Sequence, residues 1–319
     1  MNNPASYLRL GALALFWGAS FLLIKLGLEA MSPTQIAFAR IVLGALTLLA
    51  ICAVRGLRIP GDRNLWKHVA VAALLSNALP WVLLAAGEQS VESGLAGVLN
   101  ATTPLWTVLF GLLAGREALP PRRAAGLLLG FLGVLVIFAP WQGGGLLSWG
   151  VLSCVAAAAS YGIGFVYTGR FITGRGTPPL ALAGMQLTAA IGFSLLALPI
   201  GGLRLVHWNP VALLAILALG VVGTGIGFAL NYRLIGDEGA TTASTVTYIM
   251  PAFSVLLGWI LLGEQLPFRV LLGMAVVLVG VAMTHRKGSG QGMLRGRVRG
   301  AFMRGSQLYA ELATNHPMK

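Results

Sequence analysis

Charge is what this sequence has least of. Of 319 residues only 10% are charged and 57% are hydrophobic, where a soluble globular domain carries roughly 25% charged residues; water is not the main solvent of this chain. A single soluble core could not absorb the surplus, because cores stop growing near ~250–300 residues, and a lipid bilayer is the remaining sink. Cysteine is almost missing: Cys52 and Cys154 both fall inside apolar runs and imply neither a disulfide framework nor a metal site. His68, His207, His285 and His316 stand singly in or beside loops or in the C-terminal tail, with no Asp-rich or His-x-Glu grouping near them. An intramembrane enzyme would therefore lack its acid–base or metal set. The absence of a Walker loop removes ATP-driven pumping. Nor is there a cationic patch interleaved with aromatics, so the net charge of +13 does not read as a nucleic-acid surface. No cofactor, metal or nucleic-acid partner is expected.

What the chain has instead is long apolar runs. A hydrocarbon core about 30 Å thick takes about 20 helical residues to cross, and ten runs of that order lie at 8–28, 34–54, 66–86, 93–114, 121–139, 147–168, 180–200, 211–232, 240–262 and 267–285. The first is too long and too weakly basic at its front for a cleaved leader, and nine more follow it. The expected fold is an all-α polytopic membrane protein whose chief partner is the bilayer. Residues 286–319 are rich in Gly, Arg and Lys and read as a basic, disordered cytoplasmic tail. With the N-terminus placed inside, the loops and tail on the cytoplasmic side collect the Lys and Arg residues, and only Arg204 and Arg269 fall outside. That bias orients both termini to the cytoplasm. It also turns the basic excess into an orientation signal rather than a ligand site.

The two halves of the chain repeat. Pro104, Glu117, Leu119, Pro120, Gly126 and Gly133 recur as Pro251, Glu264, Leu266, Pro267, Gly273 and Gly280, each 147 residues later. Trp17-Gly18-Ala19-Ser20-Phe21 pairs with Tyr161-Gly162-Ile163-Gly164-Phe165, and Pro33 and Arg40 pair with Pro179 and Gln186. Five spans per half is odd, so residues 1–140 and 141–285 must enter the membrane from opposite sides as inverted five-helix repeats. That architecture places a substrate site near the midplane between the halves. The pattern G-R-E-A-L-P at 115–120 and G-E-Q-L-P at 263–267, with F-W-G-A-S-F at 16–21, resembles the drug/metabolite transporter superfamily, specifically its ten-helix EamA-type exporters. The resemblance implies a transporter in a cell membrane, in bacteria the inner one, that moves amino acids or other small metabolites outward.

A carrier must present polar or aromatic groups at membrane depth. Trp17 and Ser20 lie deep in the first run, with Ser160 and Tyr161 in the matching place of the sixth. The third run carries Asn77 and Trp81, and the eighth carries Asn231 and Tyr232 beyond a Gly-rich stretch, Gly220 to Gly227, that reads as close helix packing. Pro104 and Pro251 lack an N–H and clash with the carbonyls of Asn100 and Thr247, so each should kink its helix and serve as a hinge. Asn100, Thr102, Thr103 and Trp106 flank the first kink; Thr245, Thr247 and Tyr248 flank the second. Paired broken helices in an inverted repeat point to the binding site.

Two cations fall within runs. Lys25 is close enough to the outer end to snorkel; Arg40 is deeper and should bond carbonyls or find Glu29, Glu88 or Glu92, and its copy Gln186 argues for a structural role. Glu117 and Glu264 should cap the helix that follows each of them. No acid occupies the middle of a run, which leaves a proton relay without an obvious carrier. The expected activity is alternating-access export of a small-molecule substrate through an uncharged cavity, suited to neutral or aromatic amino acids. Other solutes such as drugs or nucleotide sugars, and a channel, remain the alternatives. The Gly126-x-x-x-Gly130 pair permits a monomer or weak homodimer.

Overall fold

A computed structural model describes residues 4–115, 120–138, 148–201, 203–238 and 246–284. The tail, Glu117, Thr245 and the start of the expected ninth span lie outside that set. The described residues form helices and no strand, as a lipid-embedded backbone requires, since each N–H and C=O must find a partner inside its own segment. The helices are α1 (Pro4–Gly27), α2 (Pro33–Val54), α3 (Arg63–Gly87), α4 (Ser93–Asn100), α5 (Thr103–Leu113), α6 (Pro121–Phe138), α7 (Trp149–Phe171), α8 (Pro179–Ala197), α9 (Pro210–Ile235), α10 (Val246–Leu262) and α11 (Phe268–Thr284). Among the described residues, seven segments are long and apolar enough to cross a membrane, with α4 and α5 together making one; α6, α10 and α11 contain shorter apolar stretches.

Local chemistry sets the starts. Ser32 and Gln35 close a capping box ahead of Pro33, while Asn209 Oδ1 accepts from the amides of Val211 and Ala212 around Pro210. Proline at the first helical turn loses no hydrogen bond there.

Glycine seams bring the helices together. Helix α6 lies against α11 so closely that a β-carbon on Gly280 would stand 2.5 Å from Gly130 N and 2.6 Å from Gly126 O. The Gly126-x-x-x-Gly130 pair is thus used within the chain. Helix α1 packs on α10, where Gly18 meets Phe253 and the Met250 carbonyl, and α3 packs on α7 through Gly87 and Gly150. Gly220 and Gly225 of α9 admit Leu43 and Thr47 of α2, which bears out close packing for that stretch. Side chains such as Leu46, Leu196 and Ile260 project outward, giving the bundle the apolar exterior a bilayer needs.

Three irregularities interrupt the helices. One turn of α3, Leu74–Ala78, and two of α9, Leu219–Ile226, are π-helical, and they occupy corresponding places in the two halves. The third is a break between α4 and α5 at Ala101 and Thr102, just ahead of Pro104. The expected matching break at Pro251 is not there: α10 continues through that proline.

Candidate functional site

The two π turns each collect polar partners, for a mechanical reason. A π turn offsets the ladder and frees a carbonyl, which in lipid must be satisfied by something else. In α9 the Thr224 hydroxyl donates to the Leu219 carbonyl at 2.9 Å and accepts from Arg40 Nε at 2.9 Å. In α3 the freed Leu75 carbonyl accepts from Ser160 Oγ of α7 at 2.7 Å.

Arg40 is only 8% exposed, and its guanidinium carbon lies over the Trp81 ring, 4.1 Å from the centroid. Among the described residues no carboxylate pairs with it. That corrects the expectation of Glu29, Glu88 or Glu92 as its acid: Glu29 instead accepts from Asn209 Nδ2 at 2.8 Å. A hydroxyl and an aromatic face hold this cation, an arrangement available to arginine because its delocalised charge is weakly hydrated and stacks. Tyr161 packs into the same cluster as Trp81. The interior is therefore not uncharged, as the sequence suggests, but carries one buried guanidinium among aromatic rings.

Around the break, the Thr102 and Thr103 hydroxyls donate to the carbonyls of Leu99 (2.7 Å) and Asn100 (2.8 Å). Trp106 Nε1 donates to Thr102 Oγ1 at 3.2 Å, and its ring meets Phe131 edge-on at 5.2 Å. Trp17 stands edge-on to Phe228, which in turn neighbours Tyr232. Ser20 donates to the Phe16 carbonyl. Asn231 and Thr247 are half-buried on α9 and α10; the Tyr248 side chain lies outside the described residues. Three buried polar atoms, Ser76 Oγ, Asn77 Oδ1 and Asn100 Oδ1, have no hydrogen-bond partner among the described residues. The predicted residues thus divide into an Arg40–Trp81–Tyr161 group beside the π turns, a Trp106 group at the break and a Trp17 group on α1 and α9.

Two grooves of about 560 and 540 Å³ lie elsewhere, one walled by residues such as Phe38, Leu43 and Leu217, the other by Val255, Trp259 and Leu271. The first is almost wholly apolar, the second is apolar apart from Glu264 and Gln265 at the end of the bundle, and neither holds any of the predicted site residues, so they read as lipid-facing clefts. The polar groups inside the bundle carry the functional argument.

At the end of the bundle formed by the α3–α4 turn, one expectation gains detail and one changes. Lys25 reaches out to this end, where its Nζ donates to the carbonyls of Glu88 (2.7 Å) and Val91 (2.8 Å). Glu264 caps not the helix that follows it but the start of α4, accepting from Ser93 N at 2.7 Å, Gly94 N at 2.9 Å and Ser93 Oγ at 3.0 Å. Gly94 and Gly258 leave room for that carboxylate. At the far end, Arg9 pairs with Asp237.

The model of the EamA-like transporter family matches this sequence twice, over residues 6–139 and 148–286. The chain belongs to the EamA-like transporter family. As a family member it resembles the uncharacterized transporter YdfC of Bacillus subtilis, 29% identical over 85% of this chain and 88% of that one. The uncharacterized inner membrane transporter YedA of Escherichia coli K12 is 28% identical over the same shares. A crystal structure superposes with a TM-score of 0.62 at 22% identity, covering 88% of this chain and 96% of that one, a likeness of fold. This EamA-family chain is thus a multi-pass membrane protein of a transporter family. Thr224, the two π turns and the hydroxyl and aromatic partners of Arg40 are what sequence reading misses in it. Thr224 is hidden in a run of small residues, and it meets Arg40 across 184 positions.

Proposed function

We propose that the protein is a secondary carrier that exports neutral and aromatic amino acids by alternating access. In this reading it has ten spans in two inverted five-helix repeats, residues 1–140 and 141–285, with both termini cytoplasmic in a bacterial inner membrane. Helix pairing supports the repeat: α2 lies on α8 and α6 on α11, while the α3–α7 pair exchanges with α9–α1 when the halves are swapped.

The observation that carries the cargo class is Arg40. A buried cation with no carboxylate paired to it among the described residues is a functional-site signal in a membrane protein, and a guanidinium presents parallel donors suited to a carboxylate. Trp81 and Tyr161 beside it suit an apolar or aromatic side chain, and the unpartnered oxygen of Asn77 suits an ammonium. One cation supports a single carboxylate better than a nucleotide sugar's two phosphates, and no ATP site is involved. Proteoliposomes preloaded with unlabelled phenylalanine should take up labelled phenylalanine by counterflow, whereas phenethylamine, which lacks the carboxylate, should not exchange. Absence of counterflow for every neutral amino acid tested would overturn the reading.

A further inference from the structure

Glu88 stands just beyond the last residue of α3, yet it is 0% exposed, and neither of its carboxyl oxygens has a hydrogen-bond partner among the described residues. It sits where three elements meet. Lys25 of α1 binds the Glu88 backbone carbonyl. Next to Glu88, Gly87 presses on α7 so tightly that a β-carbon would stand 2.5 Å from Cys154 Sγ and 2.7 Å from the Gly150 carbonyl. Glu264 fastens the loop's far end at Ser93 and Gly94. An ionised carboxylate at such a place gives up its hydration and receives no donor in return, whereas the neutral acid loses far less.

We propose that Glu88 is a proton-binding site, holding a proton while this end of the bundle is closed and releasing it when the end opens and water reaches the carboxyl. The groups that bear on it are Lys25 from α1, Arg40 from α2, Cys154 from α7 and Glu264 from the turn before α11. Burial pushes the Glu88 carboxyl well above the usual carboxylate range; Lys25 opposes this, Glu264 adds to it and Arg40 opposes it. Glu92 in the same loop is also raised, first by burial, then by Glu264, against Lys25. On opening, Glu88 returns toward the ordinary glutamate value of about 4.3. Its proton therefore stabilises the closed form fully at acid pH, and that stabilisation fades as pH rises from the ordinary value toward the raised one. The inference rests on the alternating-access reading and supplies its coupling ion: one proton bound and released per cycle, with no other reactant.

Its test needs no cargo, so it fails or succeeds separately from the amino-acid reading. Purified full-length protein should show the infrared carbonyl stretch of a protonated carboxylic acid persisting well above the pH at which an ordinary glutamate has ionised. Glu88→Gln should lose that band and Glu29→Gln should keep it. A Glu88→Gln spectrum identical to wild type overturns the proposal. Opening is read by amide hydrogen exchange at the start of α4, Ser93–Leu99. The intrinsic exchange chemistry of these amides is common to both proteins, so the ratio of the wild-type to the Glu88→Gln rate isolates the carboxyl. It should climb by up to roughly tenfold per pH unit between the two carboxyl values; a ratio independent of pH overturns the release step. If Glu88→Gln does not fold, Lys25→Met serves, and the infrared transition should then move to higher pH; an unmoved or absent transition overturns the proposal.

Discussion

Pro104 and Pro251 occupy matching positions 147 residues apart, yet the helix stops before one and runs through the other. The residues in front of each proline account for the difference. Ala101-Thr102-Thr103 precedes Pro104, and both threonine hydroxyls turn back onto carbonyls three residues earlier, so the carbonyls exposed by a break already have partners. Tyr248-Ile249-Met250 precedes Pro251 and places no threonine at the two positions before the proline; on the far side, the Ser254 hydroxyl donates to Pro251's own carbonyl. Proline removes one hydrogen bond, but the helix parts only where side chains replace the others. A duplicated sequence has therefore become two unlike elements, one broken and polar, one continuous and packed. The broken element holds Asn100 with its unpartnered oxygen and Trp106.

The largest contrast should come from the aromatic residues two positions after each proline. Trp106→Ala removes a half-buried ring at the break and should lower counterflow about tenfold, a loss of ~1.4 kcal/mol in cargo or gating contact, with the folded yield retained. Phe253→Ala removes a half-buried ring packed against the cluster of Leu10, Leu13 and Leu234 and should instead destabilise the protein by about 2–4 kcal/mol. Transport per folded molecule should then stay near wild type. Equal losses of transport would show that the halves work alike and would break the comparison.

A smaller contrast is expected from the prolines themselves. Pro104→Ala restores an N–H that can reach the Asn100 carbonyl, joining α4 to α5. It should raise thermal stability while slowing exchange several-fold, against the ~3 kcal/mol that an interior helix proline costs. Pro251→Ala heals a helix that is already continuous, and exchange rates should stay within about twofold of wild type. Amide hydrogen exchange at residues 101–105 gives the structural readout, and protection there should rise only in Pro104→Ala.

Much of this was legible in the sequence because the responsible forces are local. The apolar runs, the proline starts at Pro33, Pro179 and Pro210, and the glycines that seam α6 to α11 all follow from what a helix in lipid needs. Asn77 and Asn100 stand out for the same reason, as amides in apolar runs. What sequence reading misses is long-range. Glu264 reaches Ser93 across 171 positions, Lys25 reaches Glu88 across 63 and Arg40 reaches Thr224 across 184, and no spacing rule relates such pairs. The π turns are equally hidden, since an extra residue in a helical turn leaves no compositional mark. Glu88 shows the cost of judging depth by position in a run: it lies beyond the end of α3 but is buried by the loop that folds over it.

The finest test separates a polar atom kept for cargo from one kept for the fold. Asn100 Oδ1 is buried without a partner, so its presence costs stability that the protein tolerates for some return. Asn100→Leu keeps the volume and removes the orphan, and it should leave stability unchanged or raise it by up to ~1 kcal/mol. It should also raise the half-saturating phenylalanine concentration about threefold, a change of well under ~1.4 kcal/mol. Thr102→Val is the counterpart on the same turn. Its hydroxyl serves both the Leu99 carbonyl and Trp106 Nε1, so its loss should cost about 1 kcal/mol. Opposite signs in thermal stability from two neighbouring substitutions would mark the break as a place where one polar group holds the backbone and the next waits for a ligand. If Asn100→Leu also destabilises, the amide belongs to the scaffold, and the binding role passes to Arg40 and Asn77.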